Sequence, residues 1–226
     1  MKGDTMIIEK GICAYLWQNP FENNCNTYIL GEDRRVLVDV GHGRHVNHVR
    51  QGMEEDGVSQ YSVDLIIITH THPDHFEGVP SFLNGRLRVT YHREEADYLR
   101  EEGRALYQMM GIPVPTIRVE FYIQEGHLEI GGNQYEILQT PGHSPGAICI
   151  YWPEKRVLAT GDLLFAAGVG RTDFPGGSGE QLIESIERVR KLDVDILLPG
   201  HGDVIFGKDR VQENFEVIEQ NYYAFL

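Results

Sequence analysis

The sequence predicts an α+β fold in which two β-sheets pack face to face with helices on both outer sides. Three observations carry this. The chain falls into two strand-rich halves, each ending in helices. Asp64 to Thr69 (DLIIIT) is a continuous apolar run of the kind buried on both faces of a layered fold. No low-complexity segment, linker or short-period repeat separates the halves, and 226 residues suffice for one sizeable core but are short for two independent ones. Residues 1–226 are therefore expected to form a single domain.

Taken in order, Met6 to Lys10, Ile12 to Trp17, Cys25 to Leu30 and Arg35 to Val40 are rich in β-branched or aromatic residues and bounded by Gly, Asn, Pro or Asp, which predicts an antiparallel meander. Arg44 to Glu55 reads as a helix, and the strand at Asp64 to Thr69 opens an alternation of strands and helices. A short helix near Gly78 to Phe82, a strand at Leu87 to Tyr91 and a charged helix at Arg93 to Glu102 follow. The Gly/Pro-interrupted stretch from Gly103 to Thr116 is expected to be a lid or pocket wall. The second half repeats the rhythm, with strands at Leu128 to Ile130, Tyr135 to Gln139, Ala147 to Trp152 and Arg156 to Thr160. A helix at Gly179 to Lys191 carries the apolar stripe Leu182, Ile186 and Val189, and Ser178 with Gln181 forms a capping-box signature before it. Asp195 to Leu198 is another buried strand, and Asp209 to Leu226 a final amphipathic helix.

Composition excludes several classes of partner. Lysine and arginine total 20 against 34 acidic residues, and the formal net charge of −14 argues against a nucleic-acid backbone or an anionic membrane surface. No apolar run approaches the roughly 18 residues that span a bilayer. Cys13, Cys25 and Cys149 are widely spaced and odd in number, so they do not build a disulfide framework, and the N-terminus MKGDTMIIEK has no apolar signal core. A cytoplasmic protein is expected.

The ten histidines are unevenly placed. At the end of DLIIIT the chain reads Thr69-His70-Thr71-His72-Pro73-Asp74-His75, four candidate metal ligands within six residues. A loop leaving a strand can aim His70 and His72 to one side and Asp74 and His75 to another, which suits two neighbouring sites. Later strands end in further candidates: His143 in TPGHSPG, Asp162 in ATGD and His201 in LLPGHG. Three imidazoles and two carboxylates packed together without a cation would leave desolvated polar groups costing several kcal/mol each, whereas a divalent ion satisfies them.

These residues, HxHxDH followed by His143, Asp162 and His201 in that order, resemble the metallo-β-lactamase superfamily over nearly the whole chain. The resemblance implies a four-layer αββα sandwich. It also implies that His70, His72 and His143 hold a first metal, Asp74, His75 and His201 a second, and that Asp162 bridges the two. Gly161 to Phe165 and Gly170-Arg171-Thr172-Asp173-Phe174-Pro175-Gly176-Gly177 look like the glyoxalase II-like branch, which points to thioesters, and Arg171 matches a basic position of that pocket. The chain departs from full glyoxalase II enzymes, whose helical extension grips glutathione with basic residues. After His201 only one helix's length remains, dominated by acidic and aromatic residues.

The expected chemistry follows. Two zinc ions would lower the pKa of bound water from about 15.7 to about 7, giving a hydroxide that attacks a thioester or ester carbonyl while a metal polarises the carbonyl oxygen. Asp74 is expected to bind metal and to orient that nucleophile. Two divalent ions, less two aspartates and one hydroxide, leave about +1 in the pocket, so a small anionic thioester is the expected substrate. The nearest rival is a persulfide dioxygenase of the same superfamily, which uses one iron and shares a segment like Gly170 to Phe174; iron is thus the alternative metal. A second rival is a serine hydrolase, since GHSPG matches GxSxG, with Ser144, Asp162 or Asp193, and His201 in the triad order. A nucleophile elbow, however, requires a helix where AICIYW reads as a strand. A third is a non-enzymatic zinc module, but seven donors exceed what a closed four-ligand site needs.

The remaining features have plainer readings. His42, His45 and His48, at i, i+3 and i+6, are expected to be solvated or locally bonded, and His92 and His127 similar. Met109 and Met110 read as core filler or pocket lining, and Cys149 as an inert buried thiol. Tyr222, Tyr223, Phe225 and Leu226 would seal either the core or a homodimer seam.

Overall fold

The computed structural model describes residues 5–83 and 87–226; the part of the N-terminal reading that rests on residues 1–4 lies outside them. Strands β1 (Thr5–Glu9), β2 (Ile12–Tyr15), β3 (Thr27–Leu30) and β4 (Arg35–Val38) form the antiparallel meander. Helix α1 (Val46–Glu55) carries the chain across to β5 (Val63–Ile67), parallel to β4. Two single-turn helices, α2 (Pro73–Phe76) and α3 (Val79–Phe82), lead to β6 (Arg88–Thr90), parallel to β5, completing a six-stranded sheet. Helices α4 (Arg93–Arg100) and α5 (Arg104–Met109) follow.

The second six-stranded sheet begins with β7 (Gly126–Ile130), β8 (Asn133–Gln139), β9 (Ile148–Trp152) and β10 (Val157–Gly161), each antiparallel to the next. A small hairpin, β11 (Leu164–Phe165) with β12 (Gly168–Val169), interrupts it. After α6 (Gly179–Val189), β13 (Ile196–Pro199) pairs parallel to β10; β14 (Ile205–Phe206) closes the edge and α7 (Lys208–Tyr222) ends the chain. One half of the capping box forms: the Ser178 hydroxyl accepts from the Gln181 amide at 3.3 Å, while the Ser178 amide donates to the Gly142 carbonyl at 2.8 Å.

Side-chain alternation sorts the strands into four layers. Ile12 and Ala14 of β2, Val36 and Val38 of β4, and Leu65 and Ile67 of β5 face Ile137, Ile148, Ile150, Trp152 and Val157 of the other sheet. Their neighbours in sequence turn outward: Tyr15, Leu37 and Ile66 pack under Val49 and Met53 of α1, Phe76 and Leu99. On the far side, Cys149, Tyr151 and Leu158 meet Leu182, Ile186 and Val189 of α6 and Phe215 and Ile218 of α7. A period of two on buried strands thus feeds two different interiors, which is why the runs are continuously apolar. The αββα sandwich is the observed fold.

The sheets meet at one end through backbone hydrogen bonds, from the Ile148 amide to the Thr69 carbonyl at 3.0 Å and from the Asn26 amide to the Gly200 carbonyl at 2.7 Å. At this end β5, β10 and β13 stop and the loop between β8 and β9 turns, so the segments bearing His70 to His75, His143, Asp162 and His201 converge there.

Several expectations need correction. Gly103 to Thr116, expected as a lid or pocket wall, contains helix α5 and supplies Leu106, Met109 and Met110 to a cavity lining. Pro73 opens α2 inside the histidine motif, its missing amide hydrogen harmless in a first helical turn. Strands β1, β2, β4, β5 and β6 end one or two residues earlier than expected and β10 and β13 one residue later, while β11, β12 and β14 are too short to leave a period. Among the described residues no helix is long and apolar enough to cross a membrane. Tyr223 and Leu226 pack against the outer core beneath α7, whereas Phe225 is exposed.

Candidate metal centre

His70, His72, Asp74, His75, His143 and Asp162 are all buried, and His201 is partly so. Each sits just past a strand, where the ladder has ended and the backbone is free to turn, yet its neighbours remain pinned in the core. Pro73 and the turn of α2 place Asp74 and His75 on one side of the loop while His72 stays extended before it.

The ring nitrogens are oriented by neighbouring polar groups, a carbonyl for His143, a carboxylate for His75 and hydroxyls for His70 and His72. Nδ1 of His143 is 2.7 Å from the Arg171 carbonyl, so Nδ1 carries the hydrogen and the Nε2 lone pair faces inward. Nδ1 of His75 is 2.8 Å from Oδ2 of Asp39, with the same result. The Thr69 hydroxyl donates to Asp39 Oδ2 at 2.8 Å, so it accepts from Nδ1 of His70 at 3.1 Å and again leaves Nε2 inward. His72 is turned the other way, its Nε2 3.1 Å from the Tyr98 hydroxyl and its Nδ1 inside.

The inward atoms form three overlapping clusters, His70–His72–His143, His70–His75–Asp162 and Asp74–His75–His201, each with its ligand atoms within 4.8 Å of one another. His72 Nδ1 lies 2.8 Å from His143 Nε2, and His201 Nε2 lies 3.3 Å from both His75 Nε2 and Asp74 Oδ2. Asp162 stands between them: its Oδ2 is 3.5 Å from His143 Nε2 and 3.4 Å from His201 Nε2, and its Oδ1 is 3.1 Å from His75 Nε2. All seven donors expected from the sequence are therefore brought together.

The donor set fits divalent cations. His70 Nε2 is buried and makes no hydrogen bond, a state that costs about 1–3 kcal/mol for a neutral group. Burial, reinforced by the neighbouring imidazoles, holds His70 well below the usual histidine range, and burial takes His72 down to about 3, so both present lone pairs at neutral pH. At the other end burial opposes charge, but carboxylates and imidazoles override it. The Asp162 and Asp74 carboxylates lift His201 to about 10, and Cys25, Asp162 and Asp39 lift His75. Against the same burial, His201 and His75 pull Asp74 and Asp162 below the usual carboxylate range. The carboxylates draw positive charge to this end.

A cavity of about 590 Å³ opens over the cluster, floored by His72, Asp74, His143, Asp162 and His201. Its opposite wall is apolar, with Leu106, Met109 and Met110 on one side and Phe165, Val169 and Phe174 on the other. Met109 and Met110 line this pocket rather than the core. Arg171 also lines it, but its Nε and Nη2 donate to Asp173 at 2.8 and 2.6 Å. It braces its own loop with two of its five N–H donors and lines the cavity where the sequence expectation put a substrate contact.

Other readings change. Ser144 is fully buried, donates to Glu95 Oε1 at 2.5 Å and precedes strand β9, so it is no nucleophile elbow. His45 and His48 are locally bonded as expected, through Glu22 and the Leu16 carbonyl, but His42 is buried. His92 caps α4 and His127 is exposed. The three cysteines are free and buried, and burial pushes the Cys149 thiol up to about 12.

Sequence reading missed the residues that hold the ligands. Asp39 takes three donors: the Thr69 amide, the Thr69 hydroxyl and His75. Buried Glu95 accepts from the Thr71 amide and hydroxyl, both at 2.6 Å, and from Ser144 and the Gly146 amide, clamping the 70–72 turn to the His143 loop. Asn23 donates to Asp74 Oδ2 at 2.6 Å. Asp39 and Glu95 sit in segments that read as a strand end and a charged helix, so only the missing solvent would have marked them.

Comparison with known proteins agrees with this geometry. The profile described as the metallo-beta-lactamase superfamily matches residues 20–201. The chain is 33% identical over 189 residues to the hydroxyacylglutathione hydrolase GloC of Haemophilus influenzae, covering 80% of this chain and 86% of that one. It is 31% identical to the probable metallo-hydrolase YqgX of Bacillus subtilis, covering 81% and 88%. Among solved structures it is similar to TTHA1623 in a di-iron-bound form, at 28% identity and a TM-score of 0.70 over 92% of this chain and 98% of that one. The BLEG-1 B3 metallo-beta-lactamase superposes with a TM-score of 0.72 at 26% identity, covering 89% and 95%.

Proposed function

The chain belongs to the metallo-β-lactamase superfamily, and from that premise we propose that it is a metal-dependent hydrolase of the glyoxalase II-like branch, cleaving a thioester or related ester. The observation that carries this reading is the position of Asp162 between two sets of inward-facing donors, 3.5 Å from one and 3.4 Å from the other. His70, His72 and His143 would hold one ion, Asp74, His75 and His201 a second, and Asp162 would be shared. Zinc in both places is the proposed loading, with iron as the alternative suggested by the di-iron relative. When bound, such ions supply an acidified water and Lewis-acid polarisation of a carbonyl.

The chain's own residues do the rest. Asp39 and the Arg171 carbonyl fix which nitrogen of His75 and His143 is offered. Asn23 and His201 hold Oδ2 of Asp74 at the pocket floor, where this carboxylate would orient the attacking water. The apolar wall excludes bulk water from the scissile bond, and a thiolate leaves with little acid assistance.

The test is metal analysis joined to assay. Purified protein should contain two zinc ions per chain and cleave thioesters, losing activity to EDTA and regaining it with zinc. His72→Ala and Asp162→Ala should abolish turnover while His48→Ala should not. Iron near one per chain with oxygen consumption on glutathione persulfide would replace hydrolysis with the dioxygenase reading, and inactivation by a serine-directed phosphonate with chelator resistance would overturn metal catalysis.

A further inference from the structure

Resting on the hydrolase reading for where the scissile carbonyl lies, we propose that the acyl group this pocket takes is an uncharged apolar chain of several carbons. The wall facing the ligand cluster is Leu106, Met109, Met110, Phe165, Val169 and Phe174. Met109 and Met110, where α5 ends, are 79% and 47% exposed. They form flexible thioether surface at the rim that an apolar chain would cover.

The charge pattern of the same cavity points the same way. Among the described residues lining it, Arg171 is the one lysine or arginine, and its Nε and Nη2 already pair with Asp173 at 2.8 and 2.6 Å. Its guanidinium carbon also stacks 4.2 Å from the Phe174 ring centroid. A carboxylate on the acyl group would lose its water here and have to share with Asp173 the one guanidinium of the lining, whose charge that ion pair already balances. Each methylene laid on the wall would instead gain about fourfold in binding. Beyond the ions, the cation this lining offers an acyl carboxylate is thus a guanidinium already paired with Asp173. The reaction itself is simple hydrolysis: the acyl C–S bond breaks, a C–O bond to water's oxygen forms, and the proton passes to the departing thiolate.

The experiment uses the zinc-loaded chain with N-acetylcysteamine thioesters from acetyl to octanoyl, together with ketone analogues in which CH2 replaces sulfur, titrated calorimetrically. Both kcat/KM and ketone affinity should climb about fourfold per methylene over the shorter members, and succinyl should fall at least tenfold below butyryl. Met109→Ser with Met110→Ser, two exposed positions, should flatten the gradient to under twofold per methylene. A flat series, succinyl matching butyryl, or a gradient that follows length on the thiol side instead would overturn the proposal. If no thioester is cleaved while ketone affinity still climbs, the hydrolase reading falls and the apolar pocket stands.

Discussion

Nδ1 of His75 lies 2.8 Å from Oδ2 of Asp39, with both side chains buried. This pair sets the tautomer of a candidate ligand from a strand end thirty-six residues away in sequence. Partners of this kind typically change metal affinity by about 10–100-fold when removed. Asp39→Asn keeps the volume and tolerates the positive φ of 56° found there, but it offers an amide where His75 needs an acceptor. The expected result is a loss of zinc affinity in that range, measured by chelator competition, with activity partly recovered at high zinc. Unchanged affinity would show that His75 is oriented by packing alone.

Glu95 is the second buried support, and its partners make a graded test. Glu95→Gln leaves one side of the clamp facing donors with a donor, so a loss of about 2–3 kcal/mol is expected in urea unfolding. Ser144→Ala removes one of the four bonds and should cost about 1 kcal/mol. It should also keep activity within tenfold, whereas loss of a true serine nucleophile costs roughly a millionfold. A collapse of turnover in Ser144→Ala, with stability intact, would revive the serine reading.

The sequence displayed the sandwich and the seven donors because both are written in local signals. Continuous apolar runs marked β5, β9, β10 and β13, four donors crowd into the six residues after β5, and His143, Asp162 and His201 each stand beside glycine. What it concealed is set by tertiary contact. Glu95 lies in a helix whose sequence, REEADYLR, reads as solvent-facing, and nothing local separates it from exposed Glu94. His42 belongs to a loose helical triplet, yet its loop is drawn inward by the Asn24 side chain, which accepts from the His42 amide at 2.7 Å. Asp173, two residues from Arg171, is likewise visible as its partner only once the loop is folded.

Gly170 tests how closely the backbone must approach the shared carboxylate. A Cβ at this position would overlap the Asp162 carbonyl and lie 3.0 Å from Cγ of His143. Gly170→Ala therefore has to displace one side of the candidate centre or the other. Overpacking of this kind costs about 1–3 kcal/mol, and the larger consequence should be metal content below that of the parent, read by elemental analysis of folded protein. A variant that binds two ions as the parent does would mean that the 162–170 turn gives way without moving either ligand.

His42 supplies a prediction about pH in the metal-free chain. Its side chain is buried, Nε2 has no hydrogen-bond partner, and Nδ1 is 3.4 Å from Oε2 of Glu77. Burial lowers its pKa in the fold, with Arg44 adding to the effect while Asp74 and Glu77 oppose it. The unfolded chain therefore takes up this proton first, at about pH 6.5. Stability linked to His42 is complete above that pH and is lost as pH falls below it. His70 and His72 act in the same direction, whereas His201, raised to about 10, contributes stability below about 6.5 that fades as pH rises toward its folded value. Comparing the parent with His42→Gln cancels the groups they share. In EDTA, urea midpoints taken from pH 7.5 to pH 5 should fall more steeply for the parent than for the variant, because only the parent has the buried His42 imidazole to charge. Parallel curves would show that His42 accepts its proton in place, through Glu77, and that acid sensitivity arises in the ligand cluster.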